Sequence, residues 1–181
     1  MSNFLQKIVV IGPESTGKST LSAALAAHLQ TVWVDEFARG YLEQQDNTYG
    51  YEDLLAIAKG QIASEDRLSA SANRFLVCDT DLYVLMVWCH HRFGKVHPFI
   101  LEEIARRRYD AYILCQTDIP WTPDPQREYP DHSERLYFYH IYKDIVLNSG
   151  RPFIMVQGHE QQRLEQALSS GFFGLPETRN K

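Results

Sequence analysis

Residues 12–19, Gly-Pro-Glu-Ser-Thr-Gly-Lys-Ser, follow directly on the apolar run Lys7-Ile-Val-Val-Ile11, and this junction constrains the fold more than any other feature. An unbroken, β-branched apolar run is the pattern of a parallel strand buried on both faces. From Lys18 the pattern turns helical, with Leu21, Leu25 and His28-Leu29 recurring at helix spacing. Strand, GxxxxGKS and helix together are the sequence form of a phosphate-binding loop. Its backbone N–H groups face phosphate oxygens, and the helix N-terminus adds favourable partial charge. The expected nucleotide cradle is Gly12, Glu14, Ser15, Thr16, Gly17, Lys18, Ser19 and Thr20. Lys18 is expected to reach the β- and γ-phosphates and Ser19 to ligate Mg²⁺.

Four further short apolar runs read as strands: Thr31–Val34, Phe75–Cys78, Ala111–Cys115 and Phe153–Val156. Helical patterns fall between them, at about 36–44, 51–73, 82–92, 99–107 and 131–149, with a last one at 160–168. The helix from Leu82 is apolar nearly all round, which predicts packing on two sides. Five strands alternating with helices predict an α/β fold: a three-layer, doubly wound P-loop NTPase with a five-stranded parallel sheet. One domain over 1–181 is expected, with a lid insert at about 116–132 holding four of the eight prolines. Ligands in such sheets bind beyond the carboxyl ends of the strands, where the suspicious polar residues cluster.

Asp79 closes the third strand and is the expected second Mg²⁺ residue. Asp81 reads either as an acid behind the metal or as the cap of the next helix. Asp35 and Glu36 end the second strand; an acid here can accept the proton of an attacking hydroxyl, or the pair can cap the helix that follows. Arg39 can pair with Glu36 one turn back or bind phosphate. Arg127 and Arg135 lie in or just after the insert, where a lid needs cations to neutralise a migrating phosphoryl group. Arg106-Arg107-Arg108 reads as a solvated helix end. Trp88 and Tyr83 read as core residues or as one wall of a site.

A net charge of -5 argues against nucleic acid as a principal partner. The three cysteines have no metal-ligand spacing and read as reduced, buried thiols. No signal or membrane-spanning segment is legible, so a cytoplasmic location is expected. Where a Ras-like GTPase would show Asn-Lys-x-Asp, the fourth strand ends in Cys115-Gln-Thr-Asp118, which favours ATP over GTP.

Gly12-Pro-Glu-Ser-Thr-Gly-Lys-Ser-Thr-Leu21, Glu36-Phe-Ala-Arg39, Gly60-Gln61, Asp79-Thr-Asp81 and Asp118-Ile-Pro-Trp121 occur in one order. Together they resemble the ribosylnicotinamide kinase domain of NadR-type proteins over about residues 5–165. The resemblance implies ATP-dependent phosphorylation of nicotinamide riboside, with Glu36 ahead of Asp35 as the base. It also implies acceptor contacts from Arg39, Gln61 and Asp81, a Trp121 that stacks on the pyridine ring, and a lid carrying Arg127. Asp118 and Asp124 would add a field favouring the cationic ring. The insert departs from the family pattern, reading Thr-Pro-Asp-Pro-Gln-Arg127 after the tryptophan, and residues 1–181 are expected to hold no adenylyltransferase domain. Two alternatives stay open: a kinase for another nucleoside or small metabolite, and an ATP- or GTP-binding regulatory module.

Overall fold

The structure, a computed structural model, describes residues 4–173. Five strands are present among them: β1 (Gln6–Ile11), β2 (Trp33–Val34), β3 (Phe75–Asp79), β4 (Ala111–Cys115) and β5 (Phe153–Val156). They alternate with helices α1 (Lys18–His28), α2 (Phe37–Glu43), α3 (Tyr51–Ser69), α4 (Leu82–Phe93), α5 (Pro98–Arg106), α6 (His132–Asn148) and α7 (Glu160–Leu168). All pairings are parallel, in the order β2-β3-β1-β4-β5. The chain passes to one side of β1 for β2 and β3 and to the other for β4 and β5. The carboxyl ends of β1 and β4 therefore open onto the crevice where such sheets bind ligands.

Side-chain alternation along the strands builds the layers. Val9, Ile11, Leu76, Cys78 and Leu114 pack against Val87 of α4 and Phe138, Tyr142 and Val146 of α6. Ile8, Val10, Val77, Ile113 and Cys115 face the other way, onto Leu21 and Leu25 of α1 and Ala167 of α7. Every position of β3 and β4 is buried, which is why these strands are continuously apolar in sequence. Leu42, Leu54, Ile57, Leu85 and Ile100 form a satellite cluster that fixes α2 through α5 to one another.

The elements differ from expectation mainly at their ends. β2 loses Thr31 and Val32, because the Thr31 hydroxyl donates to Phe75 O at 2.6 Å and accepts from Asn73 N at 2.9 Å. Side-chain bonds thus take the place of ladder bonds. α3 stops at Ser69 rather than Asn73, where the Ser69 and Ser71 hydroxyls bond back to Glu65 O and Leu68 O. Arg107 is not a solvated helix end. Its guanidinium is mostly buried and bonds Glu65 at 2.9 Å and Asp66 at 2.7 Å, with Lys7 on the same Glu65 oxygen at 2.8 Å. Cys78, Cys89 and Cys115 are free and buried. Among the described residues no helix is long and apolar enough to cross a membrane.

Candidate active site

The loop between β1 and α1 turns where only glycine fits easily. Gly12 has φ +150 and lies so close to β4 that a Cβ would meet Cys115 O at 2.9 Å. Gly17, φ +75, is the N-cap of α1 and has no side chain to fill the loop. The Thr16 hydroxyl donates to Pro13 O at 2.7 Å, and the Lys18 ammonium reaches the same carbonyl at 2.8 Å. The curl is thus held by its own residues, with the Lys18 charge directed across it.

Ser19 and Asp79 lie together at the carboxyl end of β3. Burial pushes the Asp79 carboxyl up to about 6; the Glu36 charge adds to this, while Lys18 and the Ser19 hydroxyl oppose it. Asp79 Oδ1 is buried with no hydrogen-bond partner. An orphaned carboxylate oxygen beside a serine hydroxyl is a hard-oxygen pair that fits Mg²⁺, a cation that keeps most of its shell as water and substrate phosphate. No group of three His, Cys, Asp or Glu able to hold a metal exists among the described residues. Two protein oxygens fit only a metal that shares its coordination with phosphate.

A cavity of about 220 Å³ joins the loop to a second, aromatic chamber. Residues 12–20 form one side; Glu36 and Arg39 enter from the start of α2, and Trp88 and His91 from α4. Gln126, Arg127, Glu128 and Tyr129 close it from the insert, with Phe138 and Tyr142 of α6 beneath. These walls are tied together. The Trp88 indole donates to Tyr49 OH at 2.9 Å, and Tyr49 OH donates to Glu128 at 2.9 Å. Burial pushes the Tyr49 phenol up to about 12, so it stays a donor. Tyr129 packs on Phe138 at 4.7 Å and on His91 at 5.6 Å.

The structure therefore gathers Lys18, Ser19, Glu36, Arg39 and Arg127 around one space. It leaves other expected residues outside the lining. Asp35 is exposed and accepts from the Trp33 indole at 2.5 Å. The Gln61 side chain accepts from Phe37 N at 2.8 Å, serving the first turn of α2 rather than an acceptor. Asp81 is buried, caps α4 through Tyr83 N at 2.9 Å and accepts from Tyr112 OH at 3.0 Å. Trp121 donates its indole N–H to Glu14 at 3.0 Å and does not line the cavity. Arg39 pairs with Asp124 at 3.0 Å, not with Glu36, and Asp118 pairs with Arg163, so neither acid faces the chamber. Arg135 is buried, does not line the cavity, and donates to Ile119 O at 3.1 Å and Ser15 O at 3.4 Å, bracing the insert against the phosphate loop.

An AAA-domain profile matches residues 7–163, nearly the whole described chain. The chain belongs to the AAA-domain family. Within curated sequences it is similar to the trifunctional NAD biosynthesis/regulator protein NadR of Escherichia coli (strain K12), 28% identical over 158 residues. That match covers 85% of this chain but 38% of the relative, so the chain spans well under half the length of this curated relative. Among solved structures, NadR in complex with NAD and AMP-PNP superposes with a TM-score of 0.75 at 22% identity, covering 98% of this chain and 52% of that one. NadR in complex with NR gives 0.76 at 24% identity, over 92% and 48%. Thymidylate kinase from Ehrlichia chaffeensis gives 0.57 at 12%, over 89% and 93%. The fold is that of P-loop kinases.

Against this family background, the residues unread in the sequence are the aromatic ones. Tyr49, His91, Tyr129, Phe138 and Tyr142 come from elements whose periodicity shows burial but not what they are buried against. The two-sided apolar pattern of α4 was the available signal for Trp88. Arg163 gave none: it looks like a surface residue of a polar helix. It is 1% exposed and donates to the carbonyls of Gly158, Thr16 and Gln116 at 2.7, 3.2 and 3.3 Å.

Proposed function

We propose that this chain transfers the γ-phosphoryl group of ATP to a hydroxyl of a small nucleoside, with nicotinamide riboside as the acceptor. One observation carries the reading: the phosphate loop, the Glu36 carboxylate and an aromatic chamber share a single cavity. A regulatory module has no need of an acid and a ring-sized aromatic wall beyond the γ-phosphate. Glu36 accepts the hydroxyl proton as the bond to phosphorus forms. Lys18 and Arg127 face the migrating charge, and the loop holds the remaining phosphates in line. Ser19 and Asp79 would hold Mg²⁺, which neutralises charge on the phosphate oxygens.

The acceptor follows from the chamber. A cationic ring is attracted to an indole face, and Trp88 with Tyr129 supplies aromatic surface where the sequence had suggested Trp121. The similarity to NadR supports the same acceptor class, since a NadR structure contains NR.

The test is purified protein with Mg-ATP and a panel of nucleosides, following acceptor-dependent ADP release. Nicotinamide riboside should give the highest kcat/KM. Glu36→Gln should lower kcat by about 10² to 10⁴ and leave ATP affinity near wild type. ADP release that needs no acceptor would refute the assignment.

A further inference from the structure

Glu14 places a carboxylate inside a loop whose ligand is a polyanion. It lines the cavity, yet like charge beside a triphosphate weakens binding, so its use must lie elsewhere. Its oxygens are taken up by the insert. Oε1 accepts from the Trp121 indole at 3.0 Å and from Tyr129 N at 2.7 Å, while Oε2 accepts from Glu128 N at 3.0 Å. Beside it, Ser15 Oγ accepts from Thr122 N at 3.1 Å. Both ends of the 121–129 segment are therefore fastened to the phosphate loop. Glu128 and Tyr129 are chamber residues, and Glu128 in turn holds Tyr49, which holds Trp88.

We propose that Glu14 is a positioning residue of the acceptor site, setting the aromatic wall through Trp121, Glu128 and Tyr129 and making no use of the nucleotide. The proposal rests on the kinase reading above for its kinetic consequence, and on geometry alone for the latch. Three N–H donors on one carboxylate are charge-assisted bonds, stronger than neutral ones. Alanine leaves two backbone N–H groups without their acceptor. Glutamine keeps one oxygen, which can serve part of the set, and turns an N–H₂ toward a donor.

The experiment uses the intact chain and the variants Glu14→Ala and Glu14→Gln. Without any ligand, hydrogen exchange at the amides of Glu128 and Tyr129 should quicken about tenfold or more in Glu14→Ala, with Glu14→Gln between it and wild type. With Mg-ATP and nicotinamide riboside, the acceptor KM should rise about tenfold or more while the ATP KM stays within about twofold. An ATP KM rising as far as the acceptor KM would make Glu14 part of the phosphate cradle and overturn the proposal. Unchanged protection at 128 and 129 would overturn it too. If Glu14→Ala does not fold, Glu14→Gln decides by the same two readings. A wild-type protein that phosphorylates no nucleoside would sink the kinase reading, and the ligand-free exchange would then decide the latch by itself.

Discussion

Replacing Arg163 by methionine tests whether the phosphate loop is held from behind. The guanidinium is 1% exposed and lies where the ends of β4 and β5 meet the loop. It donates to Gly158 O, Thr16 O, Val156 O and Gln116 O and pairs with Asp118. Methionine fills much of the stem but donates nothing. Val156 O keeps the Gln116 N–H at 3.0 Å, so three carbonyls lose this donor. Asp118 is partly exposed and also accepts from Gly158 N, so water can replace its partner. At about 1 kcal/mol or more for each carbonyl, the loss is about 3–4 kcal/mol. Relief from burying a cation opposes it, since swapping buried charge for apolar volume can be neutral or stabilising. Three carbonyls left without this donor, the one on Thr16 fully buried, should outweigh that relief. For a chain of this size, a net loss of that order lowers Tm by about 10 °C. Differential scanning calorimetry reads the shift, and titration with a fluorescent ATP analogue should show weakened binding because Thr16 O borders the loop. Arg163→Lys should recover under half of the lost stability, since one ammonium cannot reach separated carbonyls. A Tm within about 3 °C of wild type, with unchanged nucleotide affinity, would show that the guanidinium contributes nothing net.

Two other perturbations follow from single contacts. Gly60 lies within α3, where a Cβ would sit 2.2 Å from the Phe37 ring. Gly60→Ala gains about 1 kcal/mol of helix propensity, yet it should lower Tm and reduce kcat about tenfold, because Phe37 adjoins Glu36; a raised Tm would refute this. Asp81 titrates in the opposite sense from a salt-bridged carboxylate. Burial pushes it up to about 7, while the Tyr112 hydroxyl and the Tyr83 and Val84 N–H groups pull the other way. The folded chain therefore binds this proton more tightly than the unfolded one. Its contribution is complete below about pH 4 and is lost as pH rises through about 7, by at most about 4 kcal/mol. Asp81→Asn should gain on wild type in Tm between pH 5 and pH 8, and a constant difference would refute the assignment.

What could be read from the sequence was whatever leaves a periodic or punctuated trace. Buried strands such as Ala111–Cys115 are continuous apolar runs, and the loop at Gly12 carries its own spacing. The site's second half left less. Trp121 was set against the pyridine ring by resemblance, whereas the structure gives it to Glu14 and fills the chamber from α4, α6 and Tyr129. An aromatic residue on a two-sided helix looks the same whether it faces core or cavity. Gly60-Gln61 shows a milder case: its acceptor role was implied by resemblance, and both residues serve Phe37, through ring clearance and a bond to its N–H. Arg163 was illegible because nothing in a polar helix marks which guanidinium turns inward.

Pro123 and Pro125 within the 121–129 segment that Glu14 fastens, and Pro120 and Pro130 immediately flanking it, fix one backbone torsion each. A detached segment with so few conformers has less disorder to lose on docking. At about 0.4–1 kcal/mol per proline, the stiffening supplies about 2–4 kcal/mol in favour of the closed arrangement. A handful of hydrogen bonds can then hold the segment firmly while remaining few enough to break. Replacing these prolines with glycine would loosen the acceptor wall without touching one contact in it.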